Sequence, residues 1–403
     1  MAALSATAVF AQSSFSITGY IDRGYQTTNN SANAGTTKAI GSNAGTTRFE
    51  FQGKEDLGGG MAAGFFVETD WNPIGGTTNV AGTTTTATTA NNVTTYSTAV
   101  AGNVVNQNGA FANSESYIKL DTPNGTVKLG TVNNEMLPAV TAVGSPAFST
   151  GTGGVYSTNF SIFNGVGTGT SGTGSNPVWV ANSATQAGAR NIRQDNTVKY
   201  ESPVFAGGFQ VKLGYAPKND VSTVASATTG ASGGITMGAT DLAIKYTNGP
   251  IDLIYTSVKY DFGADLSTTR TSTTFPTAVA GLVNSSQTNT FWGGNYAVMP
   301  NLKLFVGLGS SKSADSTTVN TSSNQFGAQY AMGNIDLLAI KASVNDKSSS
   351  DFDRTLTGLG ANYNLSKTTR LYYRYDNINY NSNAASGVTT KQTRNAVGLS
   401  MLF

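Results

Sequence analysis

The sequence predicts an all-β protein: a transmembrane antiparallel up-and-down β-barrel of about sixteen strands. Three observations carry the prediction. Period-two alternation of apolar and polar residues recurs along the chain of 403 residues. The connections between alternating runs are short and long in turn. No run of about 18 apolar residues is present that could cross a membrane as a helix.

The alternation begins at Phe15, with Phe15, Ile17, Gly19 and Ile21 on one face and Ser16, Thr18, Tyr20 and Asp22 on the other, as a strand requires. Residues 48–55 set Phe49, Phe51 and Gly53 against Arg48, Glu50, Gln52 and Lys54. The tight Gly58-Gly59-Gly60 turn then returns the chain into 61–71 as a hairpin. Runs at 117–120 and 126–130 flank Asn124-Gly125, a strong turn signal. Further pairs follow: 196–201 with 208–215, 241–247 with 251–260 across Asn248-Gly249-Pro250, and 291–298 with 302–309 across Met299-Pro300-Asn301. The last are 325–331 with 335–344 across Met332-Gly333-Asn334, 356–365 with 369–380 across Ser366-Lys367, and a closing run at 393–403.

Between these hairpins lie long Gly, Thr, Ser and Asn segments, such as 72–111 and 133–189. Successive connections of an up-and-down barrel fall on opposite rims, so strict alternation of short and long places every long one on the same side. A soluble β-sandwich also alternates. Runs of about ten residues, the length of a tilted bilayer span, favour the barrel. So do aromatics near strand ends: Phe15, Tyr25, Trp71, Tyr200, Phe209, Tyr260, Trp292, Tyr330, Tyr380 and Phe403. Residues 1–11 are small and apolar and end in Val9-Phe10-Ala11 before Gln12, which reads as a residual signal peptide. Residues 12–403 then form a single barrel.

Composition removes most other classes. The chain has no Cys, hence no disulfide framework or thiolate metal site, and no His, the usual general base and zinc ligand. No cofactor or metal is expected. A net charge of +2 gives no clustered basic surface for nucleic acid. The Gly clusters sit in hairpin turns with no helix after them, which argues against a phosphate cradle. An outer-membrane enzyme would need a nucleophile and base for which no motif is present. A secreted adhesin would show short regular repeats.

Several segments resemble the general diffusion porins of Gram-negative bacteria, especially the β-proteobacterial type. The segments are Ser16-Ile17-Thr18-Gly19-Tyr20-Ile21-Asp22, the hairpin from Arg48 to Gly60, Asn124-Gly125-Thr126-Val127-Lys128-Leu129-Gly130, Asn196-Thr197-Val198-Lys199-Tyr200-Glu201-Ser202-Pro203, and the stretch from Leu365 to Asp376. The carboxy terminus, apolar at alternate positions and ending in Phe403, is similar to the signal that the barrel-assembly machinery reads. The resemblance implies a sixteen-stranded homotrimer in the outer membrane, among lipids and lipopolysaccharide, whose third long loop folds into the lumen and forms the constriction. That loop would be about 133–193. Relatives carry Leu-Gly-Arg where this chain has Leu129-Gly130-Thr131, so that basic contact is absent here.

The function expected is passive diffusion of small hydrophilic solutes and ions through a water-filled channel, because crossing hydrocarbon costs a charged solute far more than a wet path. Strand parity turns Arg48, Lys128, Lys199, Arg370 and Arg374 inward together with Asp22, Glu50, Glu68 and Asp376. The loop adds Glu135, Arg190 and Arg193. These twelve are the expected pore-lining and constriction residues, and the slight basic excess among inward groups predicts weak anion preference. The loop aromatics Phe148, Tyr156, Phe160, Phe163 and Trp179 admit two readings: a stacking track in a sugar- or organic-anion-selective channel, or packing of the loop against the wall. The second is preferred.

Overall fold

The computed structural model describes residues 13–31, 36–70, 84–90, 93–99, 111–112, 114–146, 148, 151–156, 160, 162–163, 168–169, 178–179, 193–217, 238–261, 286–314, 319–347, 353–381 and 391–403. The expected signal peptide at 1–11, Trp71 and Arg190 lie outside them.

Sixteen strands run in chain order around a closed ring. They are β1 (Ser13–Asn30), β2 (Arg48–Gly58), β3 (Met61–Asp70), β4 (Ser116–Thr122), β5 (Gly125–Asn133), β6 (Arg193–Glu201), β7 (Phe209–Ala216) and β8 (Gly238–Asn248). The ring continues with β9 (Ile251–Asp261), β10 (Ser286–Met299), β11 (Leu302–Ser313), β12 (Asn320–Met332), β13 (Ile335–Asp346), β14 (Arg354–Asn364), β15 (Thr369–Tyr380) and β16 (Lys391–Leu402). The sheet contains a seventeenth strand, Thr36–Gly41, which pairs only with the distal part of β1. It was not expected from the sequence. Its Thr-Thr-Lys-Ala-Ile-Gly stretch has no clear alternation, and only its partner strand orders it. Two separate hairpins pair Thr84–Ala90 with Val93–Ala99 and Thr168–Gly169 with Val178–Trp179.

Every neighbouring pair in the ring is antiparallel, and β1 closes it. Its first half pairs with β2 from Ser13↔Glu55 to Tyr20↔Arg48, and its second half with β16 from Tyr20↔Leu402 to Asn30↔Gln392. The terminal residue completes the seam: Gly19 N–H donates to Phe403 O at 3.0 Å, and Phe403 N–H returns the bond to Gly19 O at 3.2 Å. The Phe403 ring lies edge-on to Phe49 at 5.6 Å. Closure leaves no sheet edge to satisfy in lipid, which is the reason membrane-spanning sheets are barrels.

The two faces of the wall are inverted relative to a soluble sheet. Along β12, Thr321, Ser323 and Gln325 are buried while Phe326 is 56% exposed. Along β15, Tyr372, Arg374 and Asp376 are buried while Leu371 and Tyr373 are exposed. Apolar outside and polar inside is the pattern of a transmembrane barrel. The strand-end aromatics follow it in part: Phe15, Tyr25, Tyr200, Phe209, Trp292, Tyr330 and Phe403 are exposed. Tyr260 and Tyr380 are not interfacial. Their parity turns them inward, and both are buried in an apolar cluster.

Beyond β5 the chain makes a single helical turn, Met136–Pro138, and a π-helical turn, Ala139–Gly144. Met136, Val140, Val143, Phe148, Phe160 and Phe163 then pack with wall residues of inward parity such as Ile254, Phe291, Ile340, Leu356 and Ile378. Burial of one such large side chain contributes about 2–3 kcal/mol, so this cluster fixes the segment to β9–β15.

Candidate constriction and lumen wall

The segment that follows β5 is held by polar links at its root, its middle and its far part. At the root, Glu135 is buried and accepts from Lys199 Nζ at 2.5 Å and Lys212 Nζ at 3.2 Å. The Glu135 N–H donates to Asp241 Oδ2 at 3.0 Å, and that same oxygen stands 3.6 Å from Lys199 Nζ. Burial pushes the Glu135 carboxyl up, but the two lysines outweigh it and hold the group below the ordinary glutamate range. In the middle, Asn295 Nδ2 donates to Val143 O at 3.2 Å and Gln325 Nε2 to Gly144 O at 2.6 Å. These two bonds satisfy carbonyls that the end of the helical turn would leave bare.

Further along, Gly153 adopts φ +82°, which only glycine takes without strain, and its N–H donates to Asp376 Oδ2 at 2.7 Å. Arg394 clasps the same Asp376 carboxylate through Nε at 3.0 and 3.1 Å and through Nη2. Next to it, Thr152 N–H donates to Asn43 O at 2.8 Å. Asn43 belongs to a turn gripped by Asp22, whose Oδ2 accepts from Ala44 N–H at 2.6 Å and Gly45 N–H at 3.0 Å. The other Asp22 oxygen accepts from Tyr372 Oη at 2.5 Å. Tyr372 reaches it from β15 across β16 because Gly398 has no side chain: a Cβ there would stand 2.3 Å from Tyr372 Oη.

A second set of charges is less covered. Arg48 Nε contacts Glu50 Oε1 at 2.5 Å and Glu68 Oε2 at 3.4 Å, and Arg193 Nη2 stands 3.8 Å from Glu68. Glu50 also accepts from Thr18, and Glu68 from Ser114. Lys128 pairs with Glu201 at 2.7 Å, and Lys119 with Asp121 at 2.9 Å. Two arginines stand apart from these pairs. Arg370 Nε donates to Ser400 Oγ at 3.1 Å. Arg374 donates to Asn362 Oδ1 at 2.8 Å and to the Tyr373 carbonyl at 2.9 Å, with its guanidinium 5.5 Å from the Tyr372 ring and 5.8 Å from the Phe148 ring. Among the described residues neither guanidinium has a carboxylate within ion-pair distance.

The sequence-derived set therefore divides. Asp22, Glu135, Lys199, Arg374 and Asp376 are buried, each against the loop or its supporting turn. Arg48, Glu50, Glu68, Lys128, Arg193 and Arg370 keep partial exposure. Sequence reasoning missed Arg394, Asp241, Tyr372 and Asn43 as partners. The register of the last two strands, β15 and β16, which sets Asp376 opposite Arg394, could have supplied the first. The other three come from separate elements and left no local signal.

A family model described as Gram-negative porin matches residues 1–383. The chain belongs to the Gram-negative porin family. This porin is 25% identical over 374 residues to outer membrane porin protein 32 of Delftia acidovorans, a match that covers 92% of this chain and 86% of that protein. Among solved structures it is similar to the anion-selective porin from Comamonas acidovorans, with a TM-score of 0.69, 22% identity, and coverage of 97% of this chain and 100% of the other. It is also similar to the trimer form of OmpT of Vibrio cholerae, with a TM-score of 0.56, 14% identity, and coverage of 97% and 99%. Family and fold together make it a channel of the outer membrane that passes solutes by diffusion.

Proposed function

We propose that this porin is a homotrimeric, weakly anion-preferring channel for small hydrophilic solutes, with no enzymatic activity, and that residues 133–193 fold across the lumen as its constriction. One observation carries the preference. The inward acids Glu68, Glu135 and Asp376 are each paired with a cation of the wall, whereas among the described residues Arg370 and Arg374 have no carboxylate within ion-pair distance. Engaged pairs cancel at a distance, while unpaired guanidinium groups raise the local anion concentration. Arg48, Glu50, Glu68, Lys128, Arg193 and Arg370 then line the water path. Glu135, Lys199, Asp22 and Asp376 hold the loop that narrows it.

Two of the similar structures agree with this reading: the porin from Comamonas acidovorans is anion-selective, and the OmpT structure is a trimer form. Burial of Phe148, Phe160 and Phe163 in the wall cluster favours packing of the loop over a sugar track; the side chain of Trp179 lies outside the described residues.

The test is conductance in a planar bilayer under a salt gradient. Triplet steps and a small anion-directed reversal potential are expected, and Arg370→Gln with Arg374→Gln should bring that potential close to zero. A potential unchanged by the double substitution overturns the assignment of selectivity to these two residues.

A further inference from the structure

The inner wall of a water-filled barrel is polar, and Phe66 and Tyr117 depart from that rule. Strand parity turns both inward, since Phe66 on β3 lies opposite Gln52 on β2 and opposite Tyr117 on β4. Their rings stack with centroids 5.4 Å apart and planes 24° from parallel, and both residues are half-buried. Neither belongs to the apolar cluster that anchors the loop. Packing of the loop therefore does not account for them.

The two rings stand as plates on neighbouring strands. On the β5 side, Lys128 Nζ covers the Tyr117 ring at 5.1 Å from its centroid. On the β2 side, Phe66 meets no further ring among the described residues. Facing that open side are Gln52 and, two residues nearer the Gly58-Gly59-Gly60 turn, Lys54; both are exposed. The register row of Lys54 is basic, because Lys54, Gly64, Lys119 and Lys128 are successive partners across β2–β5. Gly64 leaves room for Lys119 to lean across β3, where a Cβ would stand 3.2 Å from Lys119 Cε. Lys119 and Lys128 are neutralised by Asp121 and Glu201. Lys54 has no carboxylate within ion-pair distance among the described residues. Its acidic neighbours are engaged elsewhere: Asp56 Oδ1 accepts from Gly58 N–H at 2.9 Å, and Asp121 from Lys119 and Thr126.

We propose that this shelf on β2–β4 is a subsite for aromatic carboxylates passing through the channel. The ring of the solute lies against the open side of Phe66 as a third plate, and its carboxylate meets Lys54, with the Gln52 amide as a second donor. Two residues along a strand advance about 7 Å, which a lysine side chain spans, so ring and carboxylate engage the wall together. The ring pair selects an aromatic body and the unpaired ammonium selects the charge. A small aliphatic anion uses only the second, and an uncharged sugar only the first. The inference rests on the reading of the lumen as a diffusion channel and names one class of solute that its wall holds in transit.

The test is single-channel recording with added benzoate, cyclohexanecarboxylate, acetate or maltotriose. Benzoate should interrupt the current at the lowest concentration. Phe66→Leu, which keeps apolar bulk but removes the ring, should weaken that block about fivefold, and Lys54→Gln about tenfold. Lys245→Gln, which removes an inward charge on β8, should leave it unchanged. Circular dichroism establishes that each variant is folded. Equal block by cyclohexanecarboxylate or acetate overturns the proposal, as does benzoate block undiminished in both shelf variants; block by maltotriose that Phe66→Leu abolishes makes the shelf a sugar site instead. Saturation-transfer NMR of benzoate with the detergent-solubilised protein reads the ring contact without any current. A fault in the channel reading would therefore silence the recordings and leave the NMR signal, whereas a fault in the shelf would do the reverse.

Discussion

Replacing Glu135 by Gln tests whether the buried ion cluster latches the loop root to the wall. Lys199 and Glu135 are each about 3% exposed, so the pair sits where an uncompensated charge is strongly unfavourable. Removing one member of a buried pair costs about 3–5 kcal/mol. Here the lower end applies, because Lys199 keeps the Asn133 carbonyl at 2.7 Å and Asp241 at 3.6 Å. Glu135→Gln should therefore lose about 3 kcal/mol, read from reversible urea unfolding in lipid vesicles by circular dichroism. Lys199→Met should cost a similar amount, and the double variant clearly less than the sum, with a coupling of about 2–3 kcal/mol. A coupling below about 0.5 kcal/mol, the level of independent sites, would refute the latch. The pH dependence has a definite sign. The folded carboxyl titrates below its ordinary range, so on acidification the unfolded chain takes up the proton first. The latch contributes fully above about pH 4.3 and is lost as pH falls through the depressed folded value. The Gln variant should lack this part of the acid destabilisation.

Three further outcomes follow from the same contacts. Gly398→Ala should push Tyr372 off Asp22, leave a buried carboxylate short of a donor and lower stability by about 1–3 kcal/mol; Gly41→Ala, where a Cβ meets nothing within 4 Å, should stay within about 0.5 kcal/mol of wild type in the same urea titration. Phe160→Ala removes a fully buried ring and should cost about 3–5 kcal/mol, while oligosaccharides block neither variant nor wild type in single-channel recordings; sugar block that Phe160→Ala abolishes would restore the stacking track. Phe403→Ala keeps the backbone bonds to Gly19 but loses the edge contact with Phe49, so folded stability should fall by about 1 kcal/mol; a change beyond 3 kcal/mol would show that the ring does more than cover the seam.

Strand count, parity and the order of short and long connections were legible in the chain because each is a local property. The side-chain period of a strand is two, so composition alone sorts Arg48, Glu50 and Asp376 from Phe49, Phe51 and Tyr373, and hairpin turns such as Asn124-Gly125 announce themselves by residue type. The terminal Phe403 could be flagged from its position, although its packing on Gly19 and Phe49 could not.

What only the tertiary structure decided is which inward charges face water and which face protein. Parity gives Asp22 and Glu50 the same inward direction, yet Asp22 is sealed by a turn at Ala44 and Gly45 and by Tyr372, whereas Glu50 remains partly exposed. The difference comes from the turn at Ala44 and Gly45, which the far loop holds through Thr152 N–H and the Asn43 carbonyl, and from Tyr372 on a strand distant in the chain. Thr36–Gly41 is a strand for a similar reason: its order comes from β1 and not from its own pattern. Direction is a property of one strand's pleat, which the sequence by itself determines. Burial depends on what else occupies the barrel, and that is set by long-range contacts the local pattern does not contain.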